Sequence, residues 1–332
     1  KESSQPISPE QIRQNFAETA FFYPTLQTNE EGDVFVNFTL PESNTTWKLQ
    51  MLANTKDLKY LYPALIPPVL DGRIVSLALT AAGTLGDIGK AGLDISSPGH
   101  VAFTADGAAR NVLDPGRMEA SARFEGDFRD MAFLEPLLPD SALRRRIAIP
   151  DRIRLHGTAG ADKGAFSAAS TLSADGGEIA LQGRLDTRSE AYGIELRCDS
   201  FPLNRFLPAD SLGLLDLALQ AGGSGFDPLR AQTRGNIRLQ VNRAEFRGRD
   251  FGGVELNANL EEGQLSGRLS DRDEALRLLL LVSGTLTERK QEVRLTGNVF
   301  DFDLAELGIS PQKIGGSFAL EAGASASDAG SY

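Results

Sequence analysis

The sequence predicts a mainly β chain, an antiparallel meander of short strands with one apolar face. Three observations point there. Runs in which apolar residues alternate with polar ones recur along the chain, each about six to nine residues long and bounded by Gly, Asp, Asn or Glu-Gly. Glycine outnumbers proline, 34 to 16, as tight turns between strands require. Long patterns of helical period are few.

In order along the chain, Lys1 to Glu10 is polar and Pro-containing and reads as a lead-in. Ser8, Pro9 and Gln11 have the pattern of a helix start, with one or two turns over 12–19. Thr19 to Tyr23 reads as a strand ended by Pro24, and residues 29–33 as a turn. Val34, Val36, Phe38 and Leu40 form one face of a half-buried strand, and Thr46 to Leu52 forms another around Trp47. Further strands are read at Ile74 to Ala81, Val101 to Ala105 and Met118 to Phe124. Ile237, Leu239 and Val241 alternate with Arg238 and Gln240; Val254, Leu256, Ala258 and Leu260 repeat the pattern, as do Leu265, Gly267 and Leu269, and Val293, Leu295, Gly297 and Val299. Leu276 to Val282 is the most apolar run and reads as a strand covered on both faces, too short to span a bilayer.

A weaker signature recurs four times: a short apolar, helix-like segment and then a strand. The helix-like segments are 61–67, 133–139, 201–208 and 302–308, and their spacing is irregular, so this is not a strict solenoid. They read as small elements that plug or cover an edge of a growing sheet.

Composition excludes several classes. The net charge is −11, which argues against a nucleic-acid surface built from clustered Lys and Arg. No apolar run is long enough for a membrane-spanning helix. Cys198 is the one cysteine, so an internal disulfide and a multi-thiolate zinc site are both out. The chain starts at Lys1 with no basic-then-apolar region, and is expected to be part of a longer protein whose targeting segments lie elsewhere. Catalytic motifs are absent: no His-Glu-x-x-His, no nucleophile elbow, no phosphate-cradling loop. His100 and His156 read as surface residues, Cys198 as a small buried apolar side chain, and 222–225 as a turn closing a strand. Arg144, Arg145 and Arg146 read as a solvated helix end, with an anionic lipid headgroup contact as the alternative. Asn37 and Asn44 match the short glycosylation pattern, which occurs often by chance. No catalytic, metal or cofactor site is assigned.

Two resemblances add to this reading. The run Asn15-Phe16-Ala17-Glu18-Thr19-Ala20-Phe21-Phe22-Tyr23-Pro24, with Gly32, Phe38 to Ser43 and Thr46-Trp47-Lys48, resembles the bacterial alpha-2-macroglobulin family. That likeness implies a fragment of a β-sandwich domain over 1–59. The family's trapping motif Cys-Gly-Glu-Gln is absent, since Cys198 is followed by Asp199, Ser200 and Phe201, so no covalent protease trapping is carried over. Residues 60–322 resemble the TamB/AsmA-like superfamily of Gram-negative envelope proteins, on Cys198 to Leu203, Phe206 to Gly213 and Phe226 to Leu229. This second resemblance implies a long curved antiparallel sheet with an apolar inner groove (β-taco-like) and short helices. It also implies phospholipid as ligand, an outer-membrane assembly barrel protein as partner, and a periplasmic place anchored to the inner membrane through parts not in this sequence. The translocation and assembly module is the named member. Residues 323–332 read as a flexible tail. The two resemblances do not belong to one architecture, and the junction near Lys59–Leu61 reads as a join between unrelated pieces.

An amphipathic sheet must bury its apolar face against a second sheet, its own curl or a ligand. The medium-sized aliphatics on the inward positions, and the lack of long-range Greek-key punctuation, favour an open groove. The candidate groove residues are Leu239, Val241, Val254, Leu256, Leu265, Leu269, Leu278, Leu280, Val293 and Leu295. About 20 strands at the usual spacing would run on the order of 100 Å. The function expected is non-enzymatic: holding phospholipid acyl chains for transport between membranes and for outer-membrane biogenesis. The alternatives are a protease-inhibitor fragment of the alpha-2-macroglobulin type and a plain structural β-scaffold.

Overall fold

The computed structural model describes residues 46–54, 74–84, 86–131, 146–208 and 211–327. They form one open antiparallel sheet. Its strands are β1 (Thr46–Asn54), β2 (Ile74–Gly83), β3 (Ile88–Ser97), β4 (Val101–Arg110), β5 (Glu119–Arg129), β6 (Arg152–Asp162), β7 (Ala165–Ala174), β8 (Gly177–Asp186), β9 (Ala191–Pro202), β10 (Leu212–Ser224), β11 (Arg234–Phe246), β12 (Arg249–Phe251), β13 (Val254–Glu261), β14 (Gln264–Arg272), β15 (Leu276–Leu286), β16 (Lys290–Asp303) and β17 (Gly315–Ser327). A single helical turn, α1 (Leu203–Phe206), follows β9.

Each strand pairs with its neighbour in sequence. The pattern continues through β17, with the three-residue β12 beside one end of β11 and β13 along the rest. Two-residue turns fit this meander because their backbone matches strand twist when both residues have positive φ. Lys163-Gly164 (φ 49° and 91°) and Glu262-Gly263 (50° and 71°) are of this kind.

The expected strands at 46–52, 74–81, 101–105, 237–241, 254–260, 265–269, 276–282 and 293–299 all lie within strands of the sheet. Most strands are longer than expected, ten to fourteen residues, because pairing continues into Ala, Ser and charged positions where the hydrophobic alternation has faded. Among the described residues, apart from β12, sixteen strands run abreast, which places the outermost described strands roughly 70 Å apart along the pairing direction, against the 100 Å expected for about 20 strands. β1, the one described strand of the segment 1–59, pairs over all nine residues with β2. The segments read at 8–40, 61–67 and 133–139, residues Arg144 and Arg145, Asn37 and Asn44, and the junction at 59/60 lie outside the described residues.

In an antiparallel meander, alternate connections share a rim. The strand ends at Asn54 and Ile74, Arg129 and Arg152, Pro202 and Leu212, and Asp303 and Gly315 therefore share one rim, here the plug rim. The two repeated segments among the described residues, 201–208 and 302–308, both lie at it, with six full-length strands between them, an even number.

At this rim Leu203 and Phe206 of α1 pack on a cluster of Ala174, Cys198 and Phe201, with Phe206 stacked on Phe201 at 5.0 Å. All six buried apolar residues among those described (Met131, Ala174, Cys198, Phe201, Ala275 and Val299) lie along this rim. The expected helix-like segment at 302–308 is instead a single capped turn. Asp303 Oδ1 accepts from the Ala305 backbone N–H at 2.9 Å, and Gly308 (φ 71°) breaks the turn before a helix can propagate. Arg247 and Arg249 donate to the carbonyls of Gly308 and Glu306, fixing that turn to the β11–β12 corner.

Candidate functional site

Pairing register decides which side chains share a face, because alternate residues of a strand point to opposite sides. One row crosses the sheet through Ile95, Phe103, Gly126, Leu155, Leu172, Ile179, Cys198, Leu217 and Val241. It resumes at Leu278, Val299 and Phe318. Beside it runs a second row: Leu79, Leu93, Ala105, Phe124, Gly157, Ser170, Leu181, Leu196, Leu219, Leu239, Leu256, Leu269, Leu280, Gly297 and Leu320. A third, of smaller residues, includes Ala91, Gly107, Ala122, Ala159, Ala168 and Gly183, then Ile194, Ala221, Ile237 and Ala258. A fourth includes Ile88, Ala109, Ala120, Ala161, Phe166, Leu185 and Tyr192. Along these four rows, among the described side chains of β3–β17, one face of the sheet is thus apolar apart from Ser170 and Asp271.

All ten candidate residues fall on this face. Leu239, Leu256, Leu269 and Leu280 are consecutive partners in the second row. Val241 pairs with Val254, Leu278 lies in the first row, Leu295 pairs with Val282, and Leu265 and Val293 both flank Gly284. Every one of the ten is half-buried, where a facing second layer would have buried them fully. No described element packs over them. Leu79, Leu181, Ile194 and Ile237 on the same face are 38–43% exposed. Over β2–β6, where Ala91, Gly107, Ala122 and Ala159 replace large side chains, the face dips into an apolar concavity of about 420 Å³.

The opposite face is polar. Its central row includes Arg123, Thr158, Gln182, Glu195, Gln220, Arg238, Asn257 and Arg268. Charges on the polar positions are paired at short range, as in Arg197–Asp199 at 2.9 Å and the clamp of Arg129 and Arg152 on Asp127 at 2.9 and 2.6 Å. Leu279 and Leu281 also lie on this side, and Leu281 is 44% exposed, so β15 is not covered on both faces. Its continuous apolar run places leucines on the solvent side as well.

Sequence reasoning missed Asp271. It continues the alternation Leu265, Gly267, Leu269 and pairs with Leu278, so it stands on the apolar face. Extending the period by one more step would have placed it there. Burial, with Asp273 beside it, raises its carboxyl above the ordinary carboxylate range.

His156 is exposed on the polar face, and His100 sits in the turn after Pro98-Gly99 with Nδ1 3.3 Å from the Arg129 carbonyl oxygen. Cys198 is 4% exposed, and burial pushes its thiol up. Among the described residues no helix is long and apolar enough to cross a membrane, and no group of three or more His, Cys, Asp or Glu is placed to hold a metal ion.

Residues 19–62 match the alpha-2-macroglobulin family. This agrees with the resemblance read from the sequence at Asn15 to Lys48, and its described part is β1. No curated protein and no solved structure matches the chain. No TamB/AsmA-like match is found for residues 60–322.

Proposed function

We propose that this chain is a non-enzymatic envelope protein whose apolar face holds the acyl chains of phospholipids and lets them pass between membranes. One observation carries the reading: aliphatic rows run in register across the sheet, and no described layer covers them. An exposed apolar surface of this extent favours aggregation unless something occupies it. An acyl chain gains about 0.8 kcal/mol for each methylene it buries. Rows of similar aliphatic side chains give near-equal affinity along the track, so movement needs no catalytic residue. The resemblance of 60–322 to TamB/AsmA-like proteins adds the periplasm as place, outer-membrane biogenesis as process and an outer-membrane assembly barrel protein as partner.

The test is native mass spectrometry of protein expressed in a Gram-negative envelope and purified without added lipid. Bound phospholipid, lost when the face is charged, is the expected result. A monodisperse, folded preparation that repeatedly carries none would end the proposal.

A second reading, a protease-inhibitor fragment, is favoured by the family match at 19–62 alone. It predicts a complex with an added endoprotease that survives gel filtration. Without the Cys-Gly-Glu-Gln motif such a complex would be non-covalent.

A further inference from the structure

We propose that Asp271 is a proton-operated break in the apolar track, so that the face binds acyl chains more tightly when this carboxyl is neutral than when it is ionised. The inference rests on the lipid reading above. Its basis is placement. In the four apolar rows, as they run through the described residues of β3–β17, Asp271 is the one charged residue. It stands on β14 directly across from Leu278 of β15, two residues beyond Leu269, and is half-buried there.

Among the described residues nothing on the face compensates the charge. On its own strand Arg268 and Arg272 point to the polar side. On β15, Arg277 pairs with Arg272 on that same side and reaches Asp301 of β16 at 3.7 Å. On β13, Glu255 lies opposite Ser270, also on the polar side. In the following turn are Glu274 and Asp273, the latter a second carboxylate rather than a counter-ion. Asp273 donates its backbone N–H to Asp271 Oδ1 at 2.9 Å, while its own carboxylate caps Ala275 and Gly252. A hydrocarbon chain laid over β13–β15 removes water from Asp271 and supplies no cation. It therefore disfavours the ionised form further, and by linkage the protonated form binds the chain better. Burial against its own sheet already raises the Asp271 carboxyl for the same reason.

A structural role competes: the Asp271 carboxylate also caps the β14–β15 turn. Asp271→Asn separates the two, since an amide oxygen keeps the cap and cannot ionise. The experiment measures binding of a pyrene-labelled phosphatidylcholine, whose headgroup charge is constant from pH 4.5 to 8, to the full chain, to D271N and to D271L, with circular dichroism as the check on folding. Wild type should bind more tightly as pH falls, about tenfold for each unit by which the bound chain raises the Asp271 pKa. D271N should bind at the tight level throughout, without pH dependence. A folded D271N with the same pH profile as wild type overturns the inference and leaves the lipid reading standing. No binding by any of the three proteins at any pH overturns the lipid reading, and this one with it.

Discussion

At the scale of single residues, half-burial decides what a substitution does. Leu256 and Leu278 each touch their row neighbours but lack a layer above them. Leu256→Asp or Leu278→Asp should therefore abolish bound lipid while the far-ultraviolet circular dichroism stays that of a sheet. In a closed sandwich core the same change would bury an unpaired charge and unfold the protein. Cys198 behaves differently because α1 covers its end of the row. Its buried, high-pKa thiol should react slowly with a disulfide reagent in the native state and fast in denaturant. Asp127 is held below the ordinary carboxylate range by hydrogen bonds from Arg129 and then Arg152. A depressed folded pKa contributes stability that is present above the unfolded value, about 3.9, and is lost as pH falls through the folded one. Urea midpoints measured from pH 5 down to pH 2 should fall less steeply for Asp127→Asn than for wild type. The effect is small because the pair is solvent-exposed.

At the scale of elements, the plug rim and the hairpins carry the rigidity. Phe206→Ala removes a ring stacked on Phe201 and uncovers Ala174 and Cys198. It should cost about 2 kcal/mol in chemical denaturation and speed the labelling of Cys198, both from one substitution. Gly157 faces Phe124 across β5 and β6, and a Cβ there would lie 2.4 Å from the Ala169 carbonyl oxygen and 2.5 Å from the Phe124 ring. Gly157→Val should destabilise the sheet by about 1–3 kcal/mol through overpacking, despite the higher strand propensity of valine. The strands with clear period-2 alternation were legible in sequence because that alternation is local, whereas β3, β7 and β8, where Ala, Gly and Ser blur it, were not read. The turn at 303–309 was not legible either, since Leu304 and Leu307 suit a helix until Gly308 and two arginines some 60 residues away fix a tight turn.

At the scale of the whole molecule, a single layer differs from a packed globule of equal length. A compact chain of this size has a radius of gyration near 20 Å by the usual scaling. Small-angle scattering should give a clearly larger value, and a value at the compact limit would mean that the face folds onto a second layer. The sequence by itself determined that the chain is β, that its strands follow one another as a meander, and that ten named aliphatics share an inward parity, because side-chain alternation and turn chemistry are written in neighbouring residues. Only the tertiary structure decided that those residues line up across the sheet, that nothing described covers them, that the segments 201–208 and 302–308 share one rim, and that Asp271 stands among them. Register, rim and coverage depend on pairings between strands, and no local pattern encodes what lies opposite a residue in space.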